Sequence, residues 1–465
     1  MNMINVRRLT VMTFLGAGML SGISAQVSPL QVDTLKETKI PDQWDLQSCI
    51  DYAKEQNITI RKNRITAVST QIDVKTAKAA LFPSLSFSTG HQVVNRPYQE
   101  TSSRVSGSEI ISSNSKTSYN GNYGLNASWT LYNGNKRLKT IQQEKLNNQM
   151  AELDVATSEN NIQESIAQVY IQILYAAESV KVNENTLQVS IAQRDRGQEL
   201  LNAGSIAKSD LAQLEAQVST DRYQLVTAQA TLEDYKLQLK QLLELDGENE
   251  MNIYLPALSD ENVLAPLPTK RDVYISALSL RPEIEASKLN VEASELGINI
   301  AKSSYFPTIS LSAGIGTNHT SGSDFTFGEQ VKNGWNNSIG LSVSVPIFNN
   351  RQTKRAVQKA KLQYETSMLS LLDEQKALYK TIESLWLDAN SAQQRYAAAN
   401  EKLKSTQISY ELISEQFNLG MKNTVELLTE KNNLLQAQQE QLQAKYMAIL
   451  NTQLLKFYQG DQLAL

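Results

Sequence analysis

Four segments of the chain alternate apolar and small polar residues with a period of two. From Tyr119 the odd positions run Tyr119, Gly121, Tyr123, Leu125, Ala127, Trp129 and Leu131, against Asn120, Asn122, Gly124, Asn126, Ser128 and Thr130. From Ile339 the apolar set is Ile339, Leu341, Val343, Val345 and Ile347, against Gly340, Ser342, Ser344 and Pro346. Ile309, Leu311, Ala313 and Ile315 alternate with Ser310, Ser312, Gly314 and Gly316, and Leu85 and Phe87 with Ser84, Ser86 and Ser88. The period predicts strands with one apolar face. A soluble sandwich alternates in the same way, but two details favour lipid. The strands reach the roughly 9–11 residues of a barrel span, and Phe82, Trp129, Tyr132, Phe306 and Phe348 sit near their ends like an interfacial girdle. The opposite face is small and hydrophilic, which suits a water-filled lumen.

Elsewhere the apolar period is seven. Leu211, Val218, Leu225, Leu232 and Leu239 form one row, Leu428, Leu435, Leu442 and Ile449 another, and Val357, Tyr364, Leu371, Leu378, Leu385, Ala392 and Ala399 a third. Such rows are the seams of coiled coils. Lys354 to Ser414 spans 61 residues, about 90 Å of helix. Rods of that length must pack against each other. No proline interrupts Tyr98–Leu255 or Ile347–Leu465, as long helices require. Pro83 and Pro307 mark helix-to-strand switches, since the residue before proline is pushed out of the helical region. Gly204 and Gly420 sit where a left-handed residue would end a long helix. Ser205 or Ser209, and Asn423 or Thr424, are the expected caps of the helices that follow.

The pattern occurs twice. Ala80–Gly90 (ALFPSLSFSTG) matches Ser304–Gly314 (SYFPTISLSAG) at an offset of 224, and Gly124–Asn133 matches Gly340–Asn349 at 216. The offset of 216 also carries Leu201–Gly204 onto Phe417–Gly420. Each half therefore reads helix, strand, loop, strand, long helix, turn, long helix, with an eight-residue surplus between the first two strands. The expected organisation is a signal peptide over 1–25, an N-terminal segment over 26–44 and a first repeat over 45–245. A linker or equatorial region over 246–270, a second repeat over 271–460 and a tail over 461–465 follow.

Residues 1–25 have the layout of a secretory signal. Arg7 and Arg8 precede an apolar run from Leu9 to Leu20, and Ala25 stands before Gln26 as the cleavage point. No later stretch is apolar enough for a membrane-spanning helix. Lys+Arg 44 against Asp+Glu 48 argues against a nucleic-acid partner, which usually wants a basic face. One cysteine and two histidines exclude an internal disulfide and leave no His/Cys metal cage. No nucleophile–base constellation points to an enzyme, and no cofactor is expected. Cys49 reads as a buried thiol. His91 and His319 read as loop residues without a ligand set, and Thr101–Ser118 as a mobile extracellular loop.

Four strands per chain cannot close a barrel, and an open edge in lipid leaves backbone groups unsatisfied. Two copies would give eight strands, with an interior just filled by side chains. Serine, asparagine and glycine would not fill it, so three copies and twelve strands is the better count. The expected fold is a mixed α and β membrane protein: a long coiled-coil α-helical barrel continuous with a twelve-stranded β-barrel in a homotrimer, built on an internal two-fold duplication.

With that layout the chain resembles the TolC-like outer-membrane efflux proteins, or outer membrane factors, over about residues 42 to 460. Trp44–Ala53 at the start, Phe82-Pro-Ser-Leu and Phe306-Pro-Thr-Ile before the strands, Leu280-Arg-Pro-Glu-Ile284 and the two turns carry the resemblance through their order and spacing. It implies a homotrimeric exit duct in the bacterial outer membrane, in contact with its lipid and extended by a periplasmic tunnel. It also implies a periplasmic adaptor at the tip, linked to an inner-membrane RND or ABC transporter of an efflux or type I secretion system.

By analogy with the family, Asn202, Ala203, Gly204 and Ser205, with Asn418, Leu419, Gly420 and Met421, form the adaptor-docking surface; plain hairpin chemistry would use the same glycines. Tyr410, Glu411 and Glu415 lie within about three turns of Gly420. Glu411 and Glu415 share one helix face, and in a trimer would form acidic rings able to bind cations and set the opening. Arg194 and Arg196 are candidates to latch the tip shut on acids of a neighbouring helix. The alternative from another class is a secreted trimeric structural or adhesive coiled-coil protein with a soluble β head.

Overall fold

The computed structural model describes residues 41–98, 102–106, 109–113, 116–246, 251–256, 263–321, 323 and 325–463. The signal peptide expected over 1–25, residues 26–40 and the last two tail residues lie outside them.

In chain order the described elements are helices α1 (Leu46–Gln56) and α2 (Ile58–Ala79), strands β1 (Ser84–Asn95), β2 (Ser102–Ser106), β3 (Glu109–Ser113) and β4 (Thr117–Asn133), and helices α3 (Lys136–Asn202) and α4 (Lys208–Leu242). The second half contains α5 (Lys270–Leu280), α6 (Pro282–Ser303), β5 (Thr308–Thr320), α7 (Phe327–Asn333), β6 (Asn336–Ser344), α8 (Gln352–Asn418) and α9 (Thr424–Gln459). Helices α1 and α5 both have 11 residues, and α2 and α6 both have 22. The long helices α3 and α8 both have 67, about 100 Å each. The third heptad row therefore lies in a helix six residues longer than the Lys354–Ser414 segment.

Strands β1, β4, β5 and β6 form one antiparallel sheet in the order β1-β4-β5-β6. Its register aligns the period-two pattern across all four strands: Phe87 pairs with Leu125, Leu125 with Ile315, and Leu311 with both Trp129 and Leu341. One face collects the apolar side chains. The other collects Ser84, Ser86, Asn122, Asn126, Ser312 and Ser342. Among the described residues β1 meets only β4 and β6 meets only β5, so both edges of the sheet are unpaired there.

Two details differ from the sequence reading. β6 stops at Ser344, before Val345, Pro346 and Ile347, because proline has no N–H to continue the ladder. The segment Thr101–Ser118 is not a plain loop: β2 and β3 pair as a hairpin within it, and β4 begins at Thr117. The corresponding connection in the second half holds α7, capped by Thr326 and Glu329.

The core lies in the helical part. Trp44, Cys49 and Ile50 pack with Tyr170, Ile173 and Leu174 of α3, Leu239 of α4, Tyr396 of α8 and Leu450 and Leu454 of α9. Cys49 is buried as expected, and burial pushes its thiol up to about 12. The linker runs beside the rods, with Trp44 bridging Ile253 and the Tyr170 hydroxyl donating to the Tyr254 carbonyl at 2.5 Å. A second cluster joins Val273 and Ala277 of α5 to Leu378 and Ile382 of α8 and Leu455 of α9. Arg281 is held there between Glu164 at 3.0 Å and Glu283 at 2.8 Å, over the Tyr458 ring.

The strand-to-helix junctions use left-handed backbone at equivalent places: Gly134 (φ 68°) and Asn135 (φ 61°) before α3, Asn350 (φ 53°) and Arg351 (φ 61°) before α8. A Cβ on Gly134 would stand 2.6 Å from the Ser303 carbonyl oxygen and 2.9 Å from Phe306 Cβ. On Gly204 it would meet nothing within 4 Å. Gly134→Ala is therefore expected to cost about 2–5 kcal/mol, from left-handed strain plus overlap. Gly204→Ala is expected to cost only about 1–2 kcal/mol, from strain alone. Thermal melting followed by circular dichroism checks this; equal losses would show that the Ser303 contact is without consequence.

Candidate functional site

The two long hairpins end in near-identical turns. At the end of α3 the Ser205 N–H donates to the Leu200 carbonyl (2.8 Å) and the Gly204 N–H to that of Leu201 (2.9 Å). At the end of α8 Met421 donates to Gln416 (2.8 Å) and Gly420 to Phe417 (2.9 Å). These are Schellman motifs, which need a left-handed residue after the cap, and Gly204 (φ 73°) and Gly420 (φ 74°) supply it. The next helix begins differently in each half. Asn423 caps α9 as expected, accepting from the Glu426 N–H at 2.9 Å. In the first turn neither Ser205 nor Ser209 caps α4: Ala207 is the cap residue, and its N–H donates to Asp210 at 3.0 Å. The Schellman turn carries the chain past Ser205 before the helix starts.

All eight expected turn residues are exposed. The second turn is the more apolar, with Leu419 74% and Met421 70% exposed. Behind the turns a small core of Leu214, Phe417 and Leu427 fastens one hairpin to the other.

Tyr410 packs against that core, accepts from Gln193 Nε2 at 2.8 Å and has its phenol pKa pushed up by burial. Glu411 and Glu415 are exposed, and Gln407 donates to Glu411 at 3.1 Å. Within one protomer Arg194 pairs with Asp195 and Arg196 with Glu199 (2.7 Å), so both arginines bond acids of their own helix.

Sequence reasoning missed a buried polar cluster deeper in the rods. Lys431 of α9 bonds Asp221 of α4 and Ser190 of α3, Ser190 also bonds Asp221, and Gln217 donates to Asp221 at 2.9 Å. Lys431, Asp221 and Ser190 are 2–3% exposed. Burial lowers the lysine pKa, and the hydrogen bond and charge of Asp221 oppose that shift. The signal was in the seams: Asp221 continues the Leu211, Leu214, Val218 spacing, and Lys431 the Thr424, Leu427 spacing. A charged residue in an apolar row specifies partner and register.

At the sheet, Phe82, Trp129, Tyr132, Phe306 and Phe348 all lie at the helix-proximal end, and Trp129 Nε1 donates to the Leu81 carbonyl at 2.7 Å. A second aromatic set, Tyr98, Tyr119, Tyr123, Phe325, Phe327 and Trp335, lies at the far end, beyond the one girdle that the sequence reading named. From Trp129 to Tyr119 is about 34 Å along the strand, which at the usual barrel tilt matches the roughly 25 Å apolar band of an outer-membrane barrel. His91 and His319 are strand residues, contrary to the loop expectation. They flank Gly121 from β1 and β5.

A sheet with one apolar and one hydrophilic face, continued by paired rods of about 100 Å, defines a class: channel proteins that join a membrane-embedded β-domain to a long helical one. The chain belongs to the outer membrane efflux protein family, which it matches over residues 49–244 and 273–460, and its place is the outer membrane. The family is one of channel-forming proteins, not of enzymes. Outer membrane efflux protein BepC of Brucella suis biovar 1 (strain 1330) is 24% identical over 294 residues, 63% of this chain and 61% of that protein. Outer membrane protein TolC of Escherichia coli (strain K12) is also 24% identical over 294 residues, 61% of this chain and 58% of TolC. These alignments thus span about three-fifths of the relatives' lengths. Among solved structures, that of CusC, which concerns transmembrane channel formation, superposes with a TM-score of 0.75 at 19% identity, covering 90% of this chain and 92% of that one.

Proposed function

We propose that this chain is the outer-membrane exit duct of a tripartite efflux or type I secretion system. Three copies close a twelve-stranded β-barrel and continue it as a tunnel of long helices. The duct conducts passively, and the work is done by an inner-membrane RND or ABC transporter coupled through a periplasmic adaptor. The observation that carries this reading is the sheet: its apolar face is exposed, and among the described residues both its edges, β1 and β6, are unpaired. In lipid such edges must find partners. The strands alternate in direction, so β6 of one copy meets β1 of the next antiparallel. The rods support the same closure. Ile65 and Val68 of α2, Tyr223 and Val226 of α4, and Leu362, Leu369, Leu387 and Ile408 of α8 are all exposed.

The duplication is part of this reading, supported by matched helix lengths and by left-handed junctions and turns at equivalent positions. It lets six hairpins in three copies approximate sixfold packing at the tip. There the exposed Leu419, Met421 and Val425, with the turn at Asn202–Ser205, form the adaptor-docking surface. Glu411 and Glu415 line the narrowing as acidic rings.

Native mass spectrometry of the detergent-extracted protein is expected to give three times the mass of one chain. A monomer would overturn the shared twelve-stranded barrel. Glu411→Gln combined with Glu415→Gln is expected to raise single-channel conductance and reduce its block by divalent cations. Unchanged conductance and block would rule out the acidic rings as the gate.

A further inference from the structure

The only two histidines of the chain meet across β4. In the sheet register His91 of β1 and His319 of β5 both pair with Gly121, and their rings lean over it from either side. The point where a Cβ on Gly121 would stand lies 2.6 Å from His319 Nδ1 and 3.2 Å from His91 Nδ1. Any larger residue at 121 would fill the space the two nitrogens share. Tyr119, Tyr123 and Phe327 wall it, with ring centroids 5.2 Å (Tyr119–His319), 5.4 Å (His91–Tyr123) and 4.9 Å (His319–Phe327) apart.

The hydrogen bonds are uneven. Thr89 Oγ1 lies 3.1 Å from His91 Nε2 and the Tyr119 hydroxyl oxygen 2.8 Å from His91 Nδ1. In the tautomer that carries its proton on Nε2, Thr89 accepts from the ring and Nδ1 accepts from the phenol. His319 Nδ1 is buried and finds no hydrogen-bond partner among the described residues. A buried polar atom without a partner is costly and calls for an explanation.

We propose that His91 and His319 jointly bind a divalent transition-metal ion, of the copper, nickel or zinc type, over Gly121 at the far rim of the sheet. Neutral imidazole nitrogen is the ligand these ions prefer, at about 2.0–2.1 Å. Binding requires both rings to turn their Nδ1 atoms inward to that distance, into the space that the missing Gly121 side chain leaves open. The Nε2–H bond to Thr89 is the outer-shell contact that orients a ligating histidine. An entering ion displaces the Tyr119 hydrogen bond, and the freed phenol oxygen is within reach as a third donor. Among the described residues no group of three His, Cys, Asp or Glu side chains converges anywhere, so water fills the remaining positions and the site is weaker than a structural zinc cage. The competing account is ring packing alone, in a girdle that takes no ligand.

The test is pulsed electron paramagnetic resonance on the full, untagged protein in detergent, titrated with Cu²⁺. With two histidines per chain, a bound imidazole can come from nowhere else. The expected result is one Cu²⁺ per chain with two imidazole ligands. His319→Phe, which keeps a ring in the packing, is expected to leave at most one imidazole and weaken binding by about 100-fold. Thr89→Val is expected to weaken it by about tenfold. His319→Cys, which replaces the nitrogen by a thiolate, is expected to retain Zn²⁺ binding. Fewer than two imidazoles in the unsubstituted protein, or binding unchanged by His319→Phe, would overturn the proposal. Should His319→Phe fail to fold, loss of Zn²⁺ binding in a folded His319→Cys protein would overturn it instead. The readout is independent of whether the chain conducts.

Discussion

Leu125→Arg is expected to abolish assembly in the membrane, whereas Asn126→Arg, one residue along, is expected to leave it intact. Leu125 lies midway between Trp129 and the Tyr119–Tyr123 end of β4, on the apolar face, paired with Phe87 and Ile315. An arginine at the midplane of a barrel's lipid face costs about 2–4 kcal/mol, and three copies place three of them in one barrel, on the order of 6–12 kcal/mol in all. Asn126 points to the opposite face, among Ser88, Gly124 and Gly314. An arginine there enters the proposed lumen, where it stays hydrated, and is expected to lower conductance and shift selectivity toward anions. The measurement is a heat-dissociation assay of the assembled protein in lipid, followed by planar-bilayer recording. Equal tolerance of both substitutions would mean that the apolar face does not meet lipid.

Asp221→Ala is expected to loosen the hairpin tips without disturbing the barrel. It leaves the Lys431 ammonium buried without its carboxylate, and removing one partner of a buried pair costs about 3–5 kcal/mol. The loss is local, so it is read by hydrogen–deuterium exchange in α3, α4 and α9, with protection near Ser190 and Lys431 falling by about 100-fold or more. The double variant Asp221→Leu with Lys431→Met is expected to recover most of that protection, because replacing a buried pair by apolar groups of similar volume is often neutral. Failure of the double variant to recover would mean that the pair holds these helices through its geometry. Burial also gives the region a pH dependence. Lys431 has a lower pKa folded than unfolded, so the unfolded chain holds the extra proton between the two values. Stability therefore rises as pH climbs through that window toward the unfolded value of about 10.4. Lys431→Met is expected to remove the slope.

Much of this architecture was legible in the chain because it rests on local rules. The 3.5-residue spacing of Leu211–Leu239 and Leu428–Ile449 requires paired helices whatever else the chain does. Gly204 and Gly420 end helices because only glycine enters the left-handed region at little cost. Pro83 and Pro307 bar helix before the strands. Those signals placed Lys354–Ser414 within α8, a few residues short at each end, and the end of α3 at the turn of Gly204. Short elements carry weaker signals: α7 has seven residues with Gly328 in its first turn, too little pattern to separate from a loop. The cap of α4 was misplaced because the Schellman turn consumes Gly204 and Ser205 before a helix can begin.

The sequence by itself determined the long helices and the central part of the four sheet strands, that those strands have an apolar and a hydrophilic face, and where the rods turn. These follow from periodicity and from the backbone preferences of glycine and proline. Only the tertiary structure decided which segments became neighbours. It set β4 beside β5 across the two halves, brought Asp221 to Lys431 across 210 residues, and turned His91 and His319, far apart in the chain, onto one glycine. Periodicity specifies the face a side chain occupies but not the segment packed against it. That choice depends on register and on the fit of distant surfaces, which no local pattern encodes.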